Sequence, residues 1–327
     1  MNVSNSSNEG TDALYRQTFF PYAAAAIDRA RTLGGRFVYY TTAATAVRIL
    51  GNREIWMRNT STMNDFMEVD HGLNCLTEAF RSSAGKAIDA ALERCFKGVS
   101  DEIKQLFYAW IPEFRRDTFV TCVSEHTDDE DTHGRLSMWR AYGGTAGVAL
   151  VLNGGVMFRQ SDALAAYTSP VAYLDAQGIT EQLETIATKI LTNCEYVKSL
   201  GRDGVKGAIF HMLRYAAVCT KHPAFREEKE WRVVASPAME LSSLLLSNME
   251  VIRDVPQTVL KIKLVDHPER GLYGLTPAEL IDRVLIGPCA YSQVIQRALQ
   301  QVLKEAGVPD PETKVYNTGI PLRVNQR

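Results

Sequence analysis

Hydrophobic residues recur at two spacings along this chain, and each spacing predicts one kind of element. Spacing of three to four residues predicts amphipathic helices, whereas short runs of aromatic and β-branched residues predict strands. The predicted helices cover residues 11–33, 43–50, 65–110, 136–142, 179–200, 204–220 and 291–306. The predicted strands cover residues 37–40, 54–58, 118–123, 148–152, 171–174, 231–235, 258–264, 284–286 and 314–316.

The order of these elements predicts the fold class. Strands and helices are interspersed, but without the regular alternation of a doubly wound sheet. We therefore predict an α+β fold with a mixed or antiparallel central sheet and helical insertions. Residues 1–10 are polar and are expected to form a disordered tail. No repeat, low-complexity segment or proline-rich linker marks a boundary, so residues 11–327 are expected to form a single elaborated domain.

Local sequence also predicts how one early helix begins and ends. Thr42 precedes the helix that starts at Ala43, and threonine is a favourable N-cap residue. Gly51 follows the last periodic residue, where glycine commonly ends a helix.

Composition narrows the possible partners and location of the protein. The chain has 327 residues, of which 46% are hydrophobic and 23% are charged, as in ordinary globular proteins. Thirty-six basic and 38 acidic residues give a net charge of −2, so no global positive field attracts nucleic acid or an anionic membrane. Six scattered cysteines, the lack of a signal-peptide pattern and the lack of an apolar run of ~18 residues predict a cytoplasmic protein without a membrane partner.

Several common catalytic motifs do not occur in the sequence. It contains no GxGxxG after a strand, no GxxxxGK[ST], no HExxH and no GxSxG, so a Rossmann dehydrogenase or a P-loop enzyme is not expected. His126 and His133 flank an acidic loop, but their spacing matches no standard metal site. We therefore predict no metal site and expect the acidic side chains of the loop to be solvated.

The first of three polar clusters combines the segments 39–42 and 61–68. In both segments a strand end is followed by a helix start, where backbone N–H groups gather and anions bind. Helix capping by Ser61, Asn64 or Asp65 is the alternative explanation of this cluster.

The second cluster combines the segments 122–125 and 137–143. Trp139 and Tyr142 lie three residues apart, and therefore on one face of a short helix. The two rings either stack on an aromatic ligand or fill the core.

The third cluster is the charged segment 225–232, which opens a predicted strand. In an extended chain Glu228, Glu230 and Arg232 project from one face, and Trp231 faces the opposite way, into a core. Two carboxylates and a guanidinium beside a buried strand are costly unless they pair or serve a site. A solvated edge with a Glu–Arg ion pair is the alternative.

These clusters resemble a bacterial family described as domain of unknown function 2971. The resemblance extends over residues 36–290 and rests on motifs in a fixed order. The motifs are the aromatic strand at 39–42, N-D-x-x-E at 64–68, F-x-x-x-x-S-E at 119–125, M-W-x-x-Y-G at 138–143 and K-H-P-x-F-x-x-E-x-E-W-R at 221–232.

A second resemblance, to ADP-ribosyltransferases, implies a function. Those enzymes bind NAD as a substrate in a cleft between short strands, and a late glutamate, often within E-x-E, is catalytic. By this resemblance Glu230 is the catalytic carboxylate and Glu228 orients or activates the acceptor. Tyr39 stands where those enzymes carry histidine or arginine. The implied NAD-binding residues are Tyr39, Tyr40, Thr41, Ser61, Asn64, Asp65, Ser124, Trp139, Tyr142 and Arg232.

The chemistry agrees with these residue types. Cleavage of the N-glycosidic bond of NAD passes through an oxocarbenium-like ribosyl cation, which a carboxylate bonded to the ribose hydroxyl stabilises. Tyr40 or Trp139 is expected to stack on the cationic nicotinamide ring. Asn64 and Arg232 are expected to hold polar and diphosphate groups. No metal is required.

Two other functions remain open at this point. A metal-dependent nuclease or phosphoesterase would place Asp65, Glu68, Glu228 and Glu230 around Mg²⁺. A non-catalytic ligand-binding or interaction module would need none of these residues for turnover. The acceptor macromolecule of a transferase is not specified by the sequence. By association, families of this kind occur in toxin or phage-defence settings.

Overall fold

A computed structural model describes residues 4–63, 68–159 and 161–321 of the chain. The helices are α1 Ser4–Phe19, α2 Pro21–Thr32, α3 Ala43–Asn52, α4 Glu68–Arg81, α5 Ser83–Cys95, α6 Val99–Arg116, α7 Leu136–Tyr142, α8 Ala176–Thr192, α9 Cys194–Ser199, α10 Gly201–Val218, α11 Pro277–Leu280, α12 Ser292–Glu305 and α13 Pro311–Lys314. The strands are β1 Arg36–Thr42, β2 Glu54–Asn59, β3 Phe119–His126, β4 Gly147–Asn153, β5 Ala166–Pro170, β6 Ala172–Tyr173, β7 Thr220–Lys221, β8 Glu230–Ala235, β9 Leu245–Ile252, β10 Val255–Lys263, β11 Ile281–Ile286 and β12 Val315–Asn317.

The chain forms two compact units, each built from three stretches of sequence. The helical unit consists of Met1–Arg29, Thr60–Thr118 and Ser169–Arg226. The sheet unit consists of Ala30–Asn59, Phe119–Thr168 and Glu227–Arg327. The expectation of a single domain over residues 11–327 stays a prediction. Among the described residues, no helix combines the length and the apolar character needed to cross a bilayer.

In the helical unit, α4, α5, α6, α8 and α10 pack against one another through amphipathic faces. Helices α4 and α10 approach very closely at Gly72. A Cβ atom built there would lie 2.3 Å from the carbonyl oxygen of Ala217, so this crossing requires glycine. The short strands β6 and β7 pair in parallel in the same unit.

The sheet unit is organised around a ten-stranded sheet in the described part of the chain. Its main path runs β12-β11-β4-β1-β3-β2-β10-β9, and β8 pairs with β3 and β5. The β11–β12 pair is parallel, whereas the pairs that join β1, β2, β3, β4, β8, β9, β10 and β11 are antiparallel. The α+β prediction with a mixed, mostly antiparallel sheet is therefore confirmed.

Strand β3 pairs with one strand, β8, along one edge and with two strands, β1 and β2, along the other edge. On one edge, residues 119–124 pair with β8. On the other edge, β1 pairs with the end of β3, up to Val38↔Ser124, and β2 pairs with its start, at Arg58↔Val120 and Asn59↔Phe119. In the described ladders, residues 121–123 of β3 have no partner residue on this second edge, because the β1 pairs end at Ser124 and the β2 pairs end at Val120. Strands β1 and β2 therefore pair with opposite ends of the same edge of β3.

The predicted strands all have counterparts in the structure, but several details differ. Thr42 caps α3 as predicted, since its hydroxyl accepts from the N–H of Thr45. The prediction that Gly51 ends α3 was wrong, because the helix continues to Asn52 and Arg53 provides the left-handed cap with φ of 49°. The described part of the predicted tail forms the start of α1. Strands β5, β7 and β9 were not predicted.

Candidate functional site

The centre of the candidate site is a buried ion pair on β8. Glu230 Oε1 lies 2.8 Å from Arg232 Nε, and the two residues are 7% and 1% exposed. Trp231 faces the opposite way, as predicted, and its ring packs against Phe37 and Phe158. Burying a carboxylate and a guanidinium is expensive and adds little net stability, so the pair marks this face of the sheet as a candidate site.

Strand register brings further polar residues onto the same face. Glu230 lies opposite Ser124 on β3, and Ser124 lies opposite Val38 on β1. Residues that face each other across antiparallel strands point to the same side, and residues two apart on one strand do so as well. Tyr40, Ser124, Glu230 and Arg232 therefore share one face of the sheet.

Tyr39 and Thr41 follow the same alternation and occupy the opposite face of β1. The phenol of Tyr39 nevertheless interacts electrostatically with Cys122 on β3, which lies opposite Arg232, and with Arg58 on β2. Burial raises its pKa to about 12, with a further increase from Cys122 on β3 and an opposing effect of Arg58 on β2. The phenol is therefore neutral at physiological pH.

Helix α7 covers the face that carries Tyr40. Trp139 on this helix is 3% exposed, its indole N–H donates to the carbonyl of His133 at 2.7 Å, and its ring meets that of Tyr40 at 4.9 Å and 83°. A Cβ built at Gly147 or Gly287 would lie 3.0 or 2.6 Å from the indole, so glycines make room for it. Trp139 and Tyr40 thus pack in the core, and their stacking on a ligand stays a prediction.

Glu228 occupies a different position from the one predicted. It ends a 3₁₀ turn, Pro223–Glu228, and Lys229 follows with φ of 45°. The expectation of three charged residues on one extended face was wrong for Glu228, because the left-handed Lys229 turns the chain before β8 begins. Its carboxylate Oε1 instead accepts from the hydroxyl of Tyr142 at 3.2 Å.

Arg135 holds this turn in place. Its Nη1 donates to the carbonyls of Glu227 and Glu228 at 2.7 and 3.0 Å, and its Nη2 donates to the carbonyl of Glu125. Its backbone N–H donates to the hydroxyl of Tyr40 at 2.8 Å. Sequence analysis missed Arg135, whose only signal was its position after the acidic loop.

The acidic loop is folded into an ion-pair network. Nη1 of Arg36 lies 3.0 Å from both Asp131 Oδ1 and Asp282 Oδ2. Glu130 closes a capping box at Thr127 and lies 2.9 Å from Nε of Arg135. The expectation of a solvated loop was wrong for Glu130 and Asp131, which pair with Arg135 and Arg36. Asp128 and Asp129 are exposed, as expected.

The buried His126 in this network makes the stability of the protein depend on pH. Burial lowers its pKa, against the opposing effects of Asp131 and Glu130, while Arg36 adds to the lowering. The histidine is therefore neutral when folded, and protonation favours the unfolded chain. We expect the free energy of unfolding to fall as pH decreases below about 6.5, by at most about 1.4 kcal/mol per pH unit.

Urea unfolding of the wild type and of His126→Asn between pH 5 and 7.5 checks this expectation. The variant should lose this part of the pH dependence. Equal slopes for the two proteins would contradict the assignment to His126.

Three predicted binding residues belong to the helical unit or lie outside the described residues. Ser61 belongs to a 3₁₀ turn, Thr60–Thr62, in the helical unit. Asn64 and Asp65 lie outside the described residues, as does the side chain of Glu68. The roles of Asn64 and Asp65 in NAD binding therefore stay predictions.

The helical unit contains a cavity of about 90 Å³ with a largely apolar lining that includes Phe20, Leu76, Leu183 and Met212. None of the described residues that line it carries a charge. This lining therefore offers no charged partner for an anionic ligand.

Comparison with known proteins gives a family match for the part of the chain that runs from α7 to β8. No curated protein and no solved structure matches the chain. Residues 138–233 match the model of a family described as "Protein of unknown function (DUF2971)". This segment includes Tyr142, Glu228, Glu230 and Arg232. The resemblance to this family, inferred above from ordered motifs, is confirmed over residues 138–233.

Proposed function

We propose that this protein cleaves the nicotinamide–ribose bond of NAD and passes the ADP-ribosyl group to a macromolecule or to water. The observation that carries the proposal is the buried Glu230–Arg232 pair on β8, on one face of the sheet with Ser124 of β3. Such a carboxylate, preorganised in a site of low dielectric, is suited to stabilise a developing positive charge.

The proposed chemistry assigns different tasks to the two members of the pair. As the bond breaks, nicotinamide leaves with the electron pair and positive charge builds on the ribose. Glu230 accepts a hydrogen bond from the ribose 2-hydroxyl and stabilises that charge. Arg232 is 1% exposed, so it acts as a positioning residue that keeps Glu230 ionised and oriented, rather than as a ligand of the diphosphate.

Tyr39 supplies an aromatic group next to Cys122 and Arg58. Its neutral phenol offers a hydrogen-bond donor and a ring face that suits the cationic nicotinamide. This residue type replaces the histidine or arginine of the ADP-ribosyltransferase pattern. In the proposal, Tyr39 binds the nicotinamide end of NAD.

Glu228 is proposed to act toward the acceptor. Tyr142 donates to its carboxylate, and Arg135 fixes the backbone of its turn through two carbonyls. These contacts hold a second carboxylate on a segment directly before Glu230. The acceptor is a macromolecule or water, and consumption of cellular NAD suits a cytoplasmic effector in a toxin or phage-defence setting.

The experiment incubates the purified full chain with NAD in a buffer with EDTA and in a buffer with Mg²⁺. Chromatography then measures the nicotinamide that is released. We expect equal release in both buffers. We expect Tyr39→Phe to lower kcat/KM about tenfold, mainly through KM, because one hydrogen bond to bound NAD is lost. Release that requires Mg²⁺ would indicate a metal-dependent hydrolase, and no release in either buffer would overturn the proposal.

A further inference from the structure

Two cysteine thiols lie in contact in the helical unit, although the sequence shows no paired spacing. Cys95 is the last residue of α5, and Cys194 is the first residue of α9. Their Sγ atoms are 3.6 Å apart, and both residues are partly exposed. The two cysteines are 99 residues apart along the chain. Neither belongs to the candidate site described above.

The geometry is close to that of a disulfide. A disulfide bond is about 2.05 Å long, so the sulfur atoms need to approach by roughly 1.5 Å. Side-chain rotation provides such a movement. Cys95 and Cys194 both lie at a terminus of a helix, where the backbone is less constrained than in a helix interior. Partial exposure gives a small oxidant access to the thiols.

We propose that Cys95 and Cys194 form a reversible oxidation site that takes hydrogen peroxide and closes a disulfide between α5 and α9. One thiol loses its proton and attacks the peroxide as a thiolate; the O–O bond breaks, the released proton joins the leaving hydroxide, and a sulfenic acid and one water form. The second thiol then attacks the sulfenic sulfur, and the S–S bond forms as a second water leaves. The two thiols together lose two electrons and two protons, and peroxide is reduced to two waters.

The environment of Cys95 sets the character of this site. Burial and the neighbouring Cys194 raise the pKa of the Cys95 thiol to about 11, whereas Lys198 and Arg94 act in the opposite direction. Most of the Cys95 thiol is therefore protonated at neutral pH, and thiolate is the reactive form. The pair should respond to sustained exposure to peroxide rather than to a brief pulse.

Oxidation should also stabilise the helical unit. A cross-link between residues 99 positions apart closes a long loop and restricts the unfolded chain. The expected readout is a melting midpoint that rises by about 4 °C or more on oxidation and returns on reduction.

The test treats the full chain with hydrogen peroxide and counts free thiols in denaturant. We expect the count to fall from the six cysteines of the sequence to four, and dithiothreitol to restore it. Peptide mapping should recover a Cys95–Cys194 cross-linked peptide. Cys95→Ser and Cys194→Ser should not gain thermal stability on oxidation, whereas Cys289→Ser, the matched control at another partly exposed cysteine, should behave as the wild type.

Three outcomes would overturn the proposal. These are six free thiols after peroxide treatment, cross-linked peptides that join other cysteines, and oxidation of Cys95 or Cys194 to sulfinic acid without a cross-link. Because peptide mapping of the wild type alone separates them, the test does not depend on the folding of the serine variants.

Discussion

Replacement of Glu230 by glutamine is expected to lower nicotinamide release from NAD by ~10²–10³-fold, while NAD binding is largely retained. Glutamine keeps the shape of the side chain and a neutral hydrogen bond, but it removes the negative charge that stabilises the ribosyl cation. The loss should therefore appear in kcat, with KM little changed. Turnover by wild type and Glu230→Gln, together with calorimetric NAD binding, measures the two quantities separately.

Glu227→Gln is the matched control, since the Glu227 side chain is exposed on the turn that precedes Glu230. It makes the same chemical change close by and should leave turnover unchanged. Melting curves of both variants are needed, because Glu230 is also the ion-pair partner of Arg232. If folded Glu230→Gln turns over NAD as fast as the wild type, the carboxylate is not catalytic and the buried pair serves the fold alone.

Replacement of Arg232 by methionine is expected to reduce the free energy of unfolding by about 3–5 kcal/mol. Methionine fills much of the arginine volume, but it leaves the Glu230 carboxylate buried without the guanidinium 2.8 Å away. Loss of one member of a buried pair is costly because the remaining charge is not compensated. Urea unfolding of the wild type and Arg232→Met measures the change.

The double variant Glu230→Leu with Arg232→Met separates stability from function. An apolar pair of similar volume removes both desolvation penalties, so we expect it to recover most of the stability lost in Arg232→Met. It should remain inactive toward NAD because the carboxylate is gone. A double variant that is less stable than Arg232→Met would show that the ion pair itself stabilises the fold.

The part of the site that could be predicted from sequence is the part governed by local periodicity. The sequence E-W-R starts β8, and strict alternation in an extended chain separates Trp231 from the two charged residues. The same reasoning predicted β1 and β3 and the cap at Thr42. These inferences succeeded because each depends on neighbours a few residues away.

Long-range contacts and special backbone angles explain what the sequence did not predict. The register that places Ser124 opposite Glu230 depends on pairing between distant strands. The positive φ of Lys229 displaces Glu228 from the strand. Lysine rarely adopts a left-handed conformation, so the sequence does not predict this turn. Arg135 and the ion pairs of the acidic loop depend on which strand ends meet. Strand β9 was missed because its residues are largely exposed and partly polar.

The pairing of β3 with β8 has a consequence for how the protein reaches its native state. The hydrogen bond from Trp231 to Glu125 joins residues 106 positions apart, and helices α7 to α10 lie between them in sequence. Closure of so long a loop costs conformational entropy before the contacts between β3 and β8 form and stabilise the structure. This order of events slows folding. A chain still being synthesised has no β8 until residue 235 is made, so the carboxylate and its arginine are assembled late. We expect variants that slow this closure to accumulate forms that have folded helices but lack the Glu230–Arg232 ion pair.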